Sequence, residues 1–233
     1  MKIALVGIPD IKTGKHNLKE PRLEEANRLI EADKLVYAQA DVVDQSGLVD
    51  TDAILVSQDG RLDLILMDLE FVETRLGRNP SEAERAVLEK IKTTLESDQF
   101  ASSLALTEDE KKAIAAHALV TSKPITVASA EDLAEAESLL LRCVRNAGFM
   151  FFLTVGGKEN RSWIIRKGLT AWEAAGSIHT DIQKGFIRAE VIGWDDFAAN
   201  GGETGAKRAG KQRLEQKAYV MQDCDVVNFR CNK

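Results

Sequence analysis

The sequence predicts a chain of α/β plus α+β class, with an N-terminal strand-and-loop part, a helical hairpin and a small C-terminal sheet domain. Short apolar runs that end in glycine-containing loops occur at Lys2–Val6 and at residues 35–43. From Leu62, apolar residues recur at spacings of three and four, which indicates a helix. From Phe149 onward, a strand-like alternation is followed by one helical pattern. The 233 residues, 44% hydrophobic and 29% charged, have an ordinary globular composition.

The first loop follows the strand predicted at Lys2–Val6 and has the sequence GIPDIKTGKH. A phosphate-binding loop of the form GxxxxGK[ST] holds phosphates with its backbone N–H groups and its Lys, and holds Mg²⁺ with its Ser or Thr hydroxyl. Here six residues separate Gly7 from Gly14, two more than in that pattern, and Lys15 is followed by His16. We therefore expect a degenerate loop, in which Gly7, Gly14 and Lys15 are the candidate nucleotide contacts.

The second loop, DQSGLV, follows the strand-like run at residues 35–43. Its Asp44 and Gly47 form a D-x-x-G pattern, which in nucleotide hydrolases places the Asp near Mg²⁺ and the Gly N–H near the γ-phosphate. Taken alone, the pattern is common by chance and is also typical of a turn. Only residues 50–60 separate this loop from the helix predicted to begin near Arg61.

Residues 61–117 are predicted to form a helical hairpin arm. The sequence GRNPSEAE interrupts the helical pattern, and Ser81 is a suitable N-cap for the second helix. A structural role for the arm is favoured because its apolar residues form one stripe on each helix. The stripe residues are Leu62, Ile65, Leu66, Leu69, Val72 and Leu76 on the first helix, and Leu88, Ile91 and Leu95 on the second.

The segment from residue 149 to residue 233 predicts a small β-grasp domain of ubiquitin size. Alternating apolar residues predict a hairpin closed by a GGKEN turn, with its second strand at residues 162–166. Thr170 is a suitable N-cap for a helix whose apolar face lies on the hairpin. Strand-like runs at residues 219–222 and 226–230 would complete a mixed sheet.

Four sequence elements of this segment carry a family resemblance: IRKG, AAG-IH-D, KGFIRAEVI and AGK-R. Together they resemble the C-terminal TGS domain of the YchF/Obg-like ATPases. The resemblance implies an incomplete P-loop NTPase-like body at residues 1–60 and 118–148, the arm at 61–117, and a TGS-like, ubiquitin-like β-grasp domain at 149–233. It also implies ATP or GTP with Mg²⁺ as the ligand, if a nucleotide is bound.

Two further positions follow from this resemblance. Leu48 stands where Ras-like enzymes place a water-orienting Gln, and an apolar residue there is typical of this branch. Ser129 stands where relatives carry an Asn that recognises the base. A Ser hydroxyl is shorter than an Asn amide and does not offer the same donor and acceptor pair, so this position does not reproduce the base recognition of the relatives. Ser129 nonetheless joins Asp44 and Gly47 among the candidate nucleotide contacts.

Charge is distributed unevenly along the chain. The whole chain has a net charge of −6, yet residues 149–233 contain 13 Lys and Arg against 10 Asp and Glu. A basic module on an acidic body permits contact with RNA or a ribosome, although a solvated surface explains the same charges. The candidate RNA-binding residues are Lys167, Lys184, Arg188, Lys207 and Lys211.

Several functional classes lack support in the sequence. Three cysteines without CxxC spacing predict buried thiols and no metal site. His16, His117 and His179 are isolated, and we identify no catalytic residues of a hydrolase. No apolar run is long enough for a signal peptide or a membrane span, so we expect a cytoplasmic protein without a membrane partner.

Three functions remain open. The first is a degenerate YchF-like protein that acts as an RNA- or ribosome-associated binding or regulatory module. The second is a shortened but active ATPase or GTPase that uses an unusual loop. The third is a protein-interaction scaffold without a nucleotide. The loop spacing and His16 favour the first and third over the second, and we do not expect an efficient NTPase.

Overall fold

The computed structural model describes residues 1–232, which divide into two compact units. Unit 1 comprises residues 1–15 and 41–147, and unit 2 comprises residues 16–40 together with the chain from residue 148 onward. Residues 16–40 were expected in the N-terminal body, and the structure groups them with the C-terminal segment. No helix within residues 1–232 is long and apolar enough to cross a membrane.

Strands and helices are interspersed along the chain. The strands are β1 Lys2–Val6, β2 Gly14–Asn17, β3 Lys34–Val36, β4 Gln39–Val43, β5 Ala53–Ser57, β6 Ile125–Ala128, β7 Phe149–Thr154, β8 Glu159–Arg166, β9 Phe186–Ile192, β10 Arg213–Glu215 and β11 Asp225–Cys231. The α-helices are α1 Pro21–Leu29, α2 Arg61–Leu76, α3 Glu82–Glu96, α4 Glu108–Ala113, α5 Ala130–Leu133, α6 Ala136–Asn146, α7 Ala171–Ile178, α8 Thr180–Lys184, α9 Trp194–Ala199 and α10 Glu203–Arg208. Short 3₁₀ helices cover Gln45–Asp50, Ala101–Ser103 and Val120–Ser122.

Four parallel strands of a five-stranded sheet form the centre of unit 1. Strand β1 pairs in parallel with β4 on one side and with β5 on the other, and β5 pairs in parallel with β6. Strand β2 lies next to β4 at the edge. Parallel strands bring their carboxyl ends to one edge of the sheet. The loops that follow β1, β4, β5 and β6 therefore begin at the same edge, and these loops contain Gly7, Asp44 and Ser129.

Within the segment predicted as a helical arm, helices α2 and α3 pack together as a hairpin in unit 1. Ser81 caps α3 by accepting a hydrogen bond from the Glu84 N–H at 3.3 Å. The helices bury their facing apolar residues in one cluster, and burial of this kind stabilises a helix pair more than intrinsic helix propensity does. The cluster includes Ile65, Val72, Val87, Leu88, Ile91 and Leu95.

A mixed sheet with the order β10-β9-β11-β7-β8-β3 forms the centre of unit 2. The hairpin of β7 and β8 is antiparallel, β11 lies parallel to β7, and β9 lies antiparallel to β11. Helix α7 packs against this sheet, because Ala171, Ala174 and Ala175 are buried with Phe152 and Val191. The predicted packing of one helix on the C-terminal sheet is thus confirmed. The capping box of Thr170 and Glu173 begins this helix as its sequence indicated.

Two predicted strands differ in the structure. Residues 35–43 form two strands in different sheets, since β3 pairs with β8 whereas β4 pairs with β1. Residues 219–222 form no strand, because the carboxylate of Asp225 accepts hydrogen bonds from the Tyr219 hydroxyl at 2.8 Å and the Gln222 N–H at 2.9 Å. Val220 makes an isolated β-bridge with Thr170, and the turn ahead of β11 lies at residues 223–224.

Two of the three cysteines are buried. Cys143 and Cys224 are 1% and 0% exposed, and Cys231 is partly exposed. Burial raises the pKa of the Cys143 thiol to about 11. A protonated, buried thiol is chemically inert, which agrees with the structural role expected for it.

Candidate nucleotide and nucleic-acid sites

The loop after β1 differs from a phosphate-binding loop in the element that follows it, which is a strand and not a helix. Gly7 has a φ of +67°, and Ile8 and Ile11 are buried, so the chain turns back over its own apolar residues. Gly14 and Lys15 then begin strand β2, whereas helix α1 begins only at Pro21. A phosphate-binding loop directs its N–H groups and its Lys at phosphates from the first turn of a helix. Here the glycine and lysine of the motif lie on an extended strand.

A small cavity adjoins this loop. Its volume is about 370 Å³. Of the candidate nucleotide contacts, Gly7 and Asp44 line it, while Gly14, Lys15, Gly47 and Ser129 do not. No Lys or Arg is among the residues that line it, so a triphosphate would find no cation in its walls. The other lining residues are Leu5, Ile8, Pro9, Ile11 and Thr13.

The polar groups of the D-x-x-G element are used within its own turn. The carboxylate of Asp44 accepts hydrogen bonds from the Ser46 hydroxyl at 2.5 Å and the Ser46 N–H at 2.9 Å, and these bonds lower its pKa. The Gly47 N–H donates to the Asp44 carbonyl oxygen at 3.1 Å. Leu48 is 4% exposed and belongs to the core that covers the parallel sheet. Asp44 and Gly47 thus act as a turn, and Leu48 as a core residue.

Ser129 has a structural role at the start of α5. Its hydroxyl accepts the Asp132 N–H at 3.2 Å, and the Asp132 carboxylate accepts the Ser129 N–H at 2.8 Å. Arg142 holds the same carboxylate with two contacts of 2.7 and 2.6 Å, and these contacts lower the pKa of Asp132. The serine predicted to face a base is therefore part of a capping box.

The five candidate RNA-binding residues differ in how their charges are compensated. Lys207 lies 2.5 Å from the carboxylate of Glu203, and Lys211 lies 3.1 Å from that of Asp196. Lys167 follows β8, and Lys184 ends α8. Two of the five cations thus have an acidic neighbour within unit 2.

Arg188, on β9, has a cationic neighbour that the sequence analysis missed. It stands opposite Arg230 of β11 in the antiparallel register. Arg230 pairs with the carboxylate of Glu190, which also accepts a hydrogen bond from the Asn228 amide at 2.9 Å. Burial opposes ionisation of Glu190, but the hydrogen bonds from Arg230 and Asn228 outweigh it and lower its pKa. Alternation within β11 indicates the face of Arg230, but only the register places it beside Arg188.

Comparison with known proteins identifies similar chains. A family model described as YchF-GTPase_C, protein of unknown function (DUF933), matches residues 149–232. The Ribosome-binding ATPase YchF of Bacillus subtilis (strain 168) is 32% identical over 236 residues, which cover 73% of this chain and 64% of that protein. Obg-like ATPase 1 of Rattus norvegicus is 49% identical over 82 residues, which cover 35% of this chain and 21% of that protein.

One solved structure agrees over nearly the whole chain. The Schizosaccharomyces pombe YchF GTPase superposes with a TM-score of 0.76 at 19% identity, covering 99% of this chain and 97% of that chain. The fold is therefore that of a mixed α/β protein of the YchF GTPase type. The chain belongs to the YchF family.

The chain spans less than two thirds of the length of the curated relatives named first. The alignment with the Bacillus subtilis protein extends over 236 residues but includes only 73% of the 233 residues of this chain. Part of the relative's aligned segment therefore has no counterpart in this chain.

Proposed function

We propose that this chain is a YchF-family module that lacks efficient nucleotide hydrolysis and acts as an RNA- or ribosome-associated binding or regulatory protein. The observation that carries the first part is the position of Lys15 on strand β2 rather than at the start of a helix. Phosphoryl transfer depends on positioned cations and N–H groups around the phosphates. The cavity after β1 supplies no lysine or arginine among its lining residues.

In this proposal, residues 1–60 and 118–148 are a reduced P-loop-type body, except that residues 16–40 pack with the C-terminal segment in unit 2. Residues 61–117 are its arm, and residues 149–233 are a TGS-like β-grasp domain. The strand arrangement of unit 2 supports the last assignment. In a β-grasp domain, a hairpin precedes a helix, and the final strand lies beside the first strand in parallel. Here the hairpin of β7 and β8 precedes α7, and β11 lies parallel to β7.

The proposed nucleic-acid surface is centred on the outer face of unit 2 around Arg188 and Arg230. Like charges on facing strand positions repel each other unless an anion lies between them. Glu190 compensates Arg230 in part, and Arg188 has no ion pair among the described residues. A phosphodiester backbone would compensate Arg188, and Lys184, four residues before it at the end of α8, would extend the contact. Lys167 lies at the opposite end of the sheet by the strand register, so its contact with RNA stays a separate prediction. Association with ribosomes would place the protein in the cytoplasm.

A second candidate function is a shortened, active ATPase or GTPase that binds ATP or GTP with Mg²⁺. One observation favours it: Gly7 and Asp44, from two different loops, line the same cavity. The curated relatives are named as ATPases, and the similar solved structure is named as a GTPase. A scaffold that binds only proteins would need neither this cavity nor the cations of unit 2.

Co-sedimentation with purified ribosomes tests the ribosome proposal. We expect the full chain to sediment with ribosomes at low salt and to dissociate as salt rises, because phosphate contacts release counterions. Lys184→Glu/Arg188→Glu should weaken binding, and the log–log salt slope should fall by about 0.7–0.9 for each phosphate that is no longer neutralised. Lys112→Glu, at an exposed position of α4 in unit 1, is the matched control and should bind as the unmodified chain does. Equal sedimentation of all three proteins would contradict the proposal.

A further inference from the structure

Strand β8 has an edge that is only partly paired. It spans Glu159–Arg166, but its outer neighbour β3 pairs with Glu159, Asn160 and Arg161 alone. After Val36 the chain leaves β8, and the Ala38 N–H donates to the Ser162 hydroxyl at 2.9 Å rather than to a backbone carbonyl. The second half of β8 is therefore the open edge of the unit 2 sheet.

The register shows which backbone groups this edge presents. The Lys167 N–H donates to the Gly148 carbonyl oxygen of the β7 side. In an antiparallel pair every second residue bonds to the partner strand, so Ile165 and Trp163 also bond to β7. Ile164 lies between them and directs its N–H and C=O away from β7. Within residues 1–232, no partner is found for these two groups. An added strand forms two hydrogen bonds with such a residue.

A cavity of about 400 Å³ lies at this edge. Its walls come from the segment of β3 and the residues after it, from β8, and from single residues of β2 and α7. The side-chain amides of Asn17 and Gln39 line it and bond to each other at 3.0 Å. The lining residues include Ser162, Trp163, Ile164, Tyr37 and Ser177, and Arg161 is the only charged one among them.

The guanidinium of Arg161 stacks on an aromatic ring and has an unused donor. Its guanidinium lies over the Trp163 ring, 4.1 Å from the centroid, and Phe152 stacks against Trp163 with centroids 6.1 Å apart. Its Nη1 is 3.6 Å from a Glu159 oxygen, beyond a normal hydrogen bond. Its Nε is buried and has no acceptor among the described residues. A donor without an acceptor is unfavourable in the folded chain, so the guanidinium of Arg161 can gain from an acceptor that a ligand supplies.

We propose that this cavity binds an extended peptide with a free carboxylate, which pairs with the edge of β8 at Ile164 and places its carboxylate on Arg161. The backbone groups of Ile164 match a peptide backbone, and the guanidinium matches a carboxylate in a planar, two-point contact. The amides of Asn17 and Gln39 supply further donors and acceptors across the cavity. This peptide site is independent of the nucleotide loop and of the Arg188 surface.

The experiment titrates the ¹⁵N-labelled full chain with the peptide acetyl-Thr-Val-Thr-Val, once with a free C-terminal carboxylate and once amidated. We expect the acid to shift the NMR signals of the Ile164 amide and the Arg161 Nε. The amidated peptide should bind at least about tenfold more weakly, since it lacks the negative charge that pairs with the guanidinium. Arg161→Lys keeps the charge but removes the planar fork, and it should reduce the difference between the two peptides.

The matched control is Arg166→Lys. Arg166 lies on the same strand over the Phe149 ring, 4.5 Å from the centroid, and does not line the cavity. This variant should bind both peptides as the unmodified chain does. Three outcomes would overturn the proposal. The acid and the amide could bind equally well, or the NMR shifts caused by the acid could be unchanged in Arg161→Lys. Finally, octauridylate could shift the Ile164 amide signal while the peptide does not. Failure of ribosome association alone would leave it intact.

Discussion

Arg75 of α2 and Glu84 of α3 form a two-point ion pair that joins the helices of the arm. The Nε–Oε1 distance is 2.6 Å and the Nη2–Oε2 distance is 2.8 Å, and His117 Nε2 contacts the same carboxylate at 2.7 Å. The hydrogen bonds of Arg75 and then of His117 lower the pKa of Glu84 from 4.5 to about 2. This group therefore couples the stability of the arm to pH.

The first prediction concerns acid stability. The pKa of Glu84 is lower in the folded chain than in the unfolded chain. The ionised Glu84 therefore adds its full contribution to the free energy of unfolding above about pH 4.5, and this contribution disappears as the pH falls toward 2. Glu84→Gln should be less stable than the unmodified chain at pH 7, and the difference should shrink as the pH falls. Urea unfolding at a series of pH values measures this. Glu89→Gln, at an exposed position of α3, is the control, and a pH-independent difference for Glu84→Gln would contradict the assignment.

The second prediction concerns a buried carboxylate in α2. Asp68 is 3% exposed and accepts hydrogen bonds from the Val120 N–H at 3.1 Å, from the Thr121 N–H at 2.7 Å and from the Thr121 hydroxyl. Burial raises its pKa, against the lowering effect of these bonds.

Asp68→Asn replaces one acceptor oxygen by an NH₂ group that faces donors. We expect it to lower the free energy of unfolding by about 1–3 kcal/mol. Chemical denaturation measures the change, and Asp63→Asn at an exposed position of the same helix is the control. An unchanged midpoint for Asp68→Asn would show that these hydrogen bonds do not anchor residues 120–122.

The third prediction concerns the glycine that begins the first loop. Gly7 has a φ of +67°, and a Cβ there would lie 2.4 Å from the Ser57 hydroxyl oxygen. Gly210 has a φ of +69° with no atom within 4 Å of its Cβ position. Gly210→Ala should cost about 1–2 kcal/mol from backbone strain alone, and Gly7→Ala should cost more because it adds the clash. Equal thermal stability of the two variants would argue against close packing of the loops after β1 and β5.

The sequence predicts those elements whose signals are local. The caps at Ser81 and Thr170 and the hairpin of β7 and β8 are each encoded in a short stretch of chain, and the structure contains all of them. The apolar stripes of the arm are local signals too, but Leu62 and Leu66 of the first stripe are exposed and were wrongly predicted to be buried. Pairing of β3 with β8 joins residues more than a hundred positions apart, and nothing in a run of three residues specifies its partner. For this reason the sequence does not place the segment 16–40 in unit 2.

The candidate site could also be predicted only where its signals are local in sequence. The spacing of Gly7 and Gly14 and the presence of His16 indicate an unusual loop, but both a helix and a strand are compatible with the residues after Lys15. The sequence does not predict Arg230 as part of a cationic surface, because only the strand register places it opposite Arg188. Arg161 escaped notice because its unpaired Nε depends on three-dimensional packing.

The fourth prediction concerns catalysis. We expect ATP and GTP hydrolysis to be far below about 1 s⁻¹, the lower end of the usual enzyme range, because Lys15 and the cavity at Gly7 are not arranged around a triphosphate. Phosphate release measured with Mg²⁺ present, for the unmodified chain and for Lys15→Ala, tests this. Turnover above that rate that is abolished in Lys15→Ala would show a working site.

Nucleotide binding itself tests the central claim most directly. Thermal unfolding of the full chain is measured with Mg²⁺ and ATP, GTP, ADP or GDP, because a ligand that binds only the folded state raises stability by RT ln(1 + [L]/Kd). A ligand at a hundred times its Kd would add about 2.7 kcal/mol, which shifts the Tm of a chain of this size by several degrees. We predict no shift with any of the four nucleotides. A shift of that size that disappears in Lys15→Ala would contradict the proposal that the loop has no remaining nucleotide function.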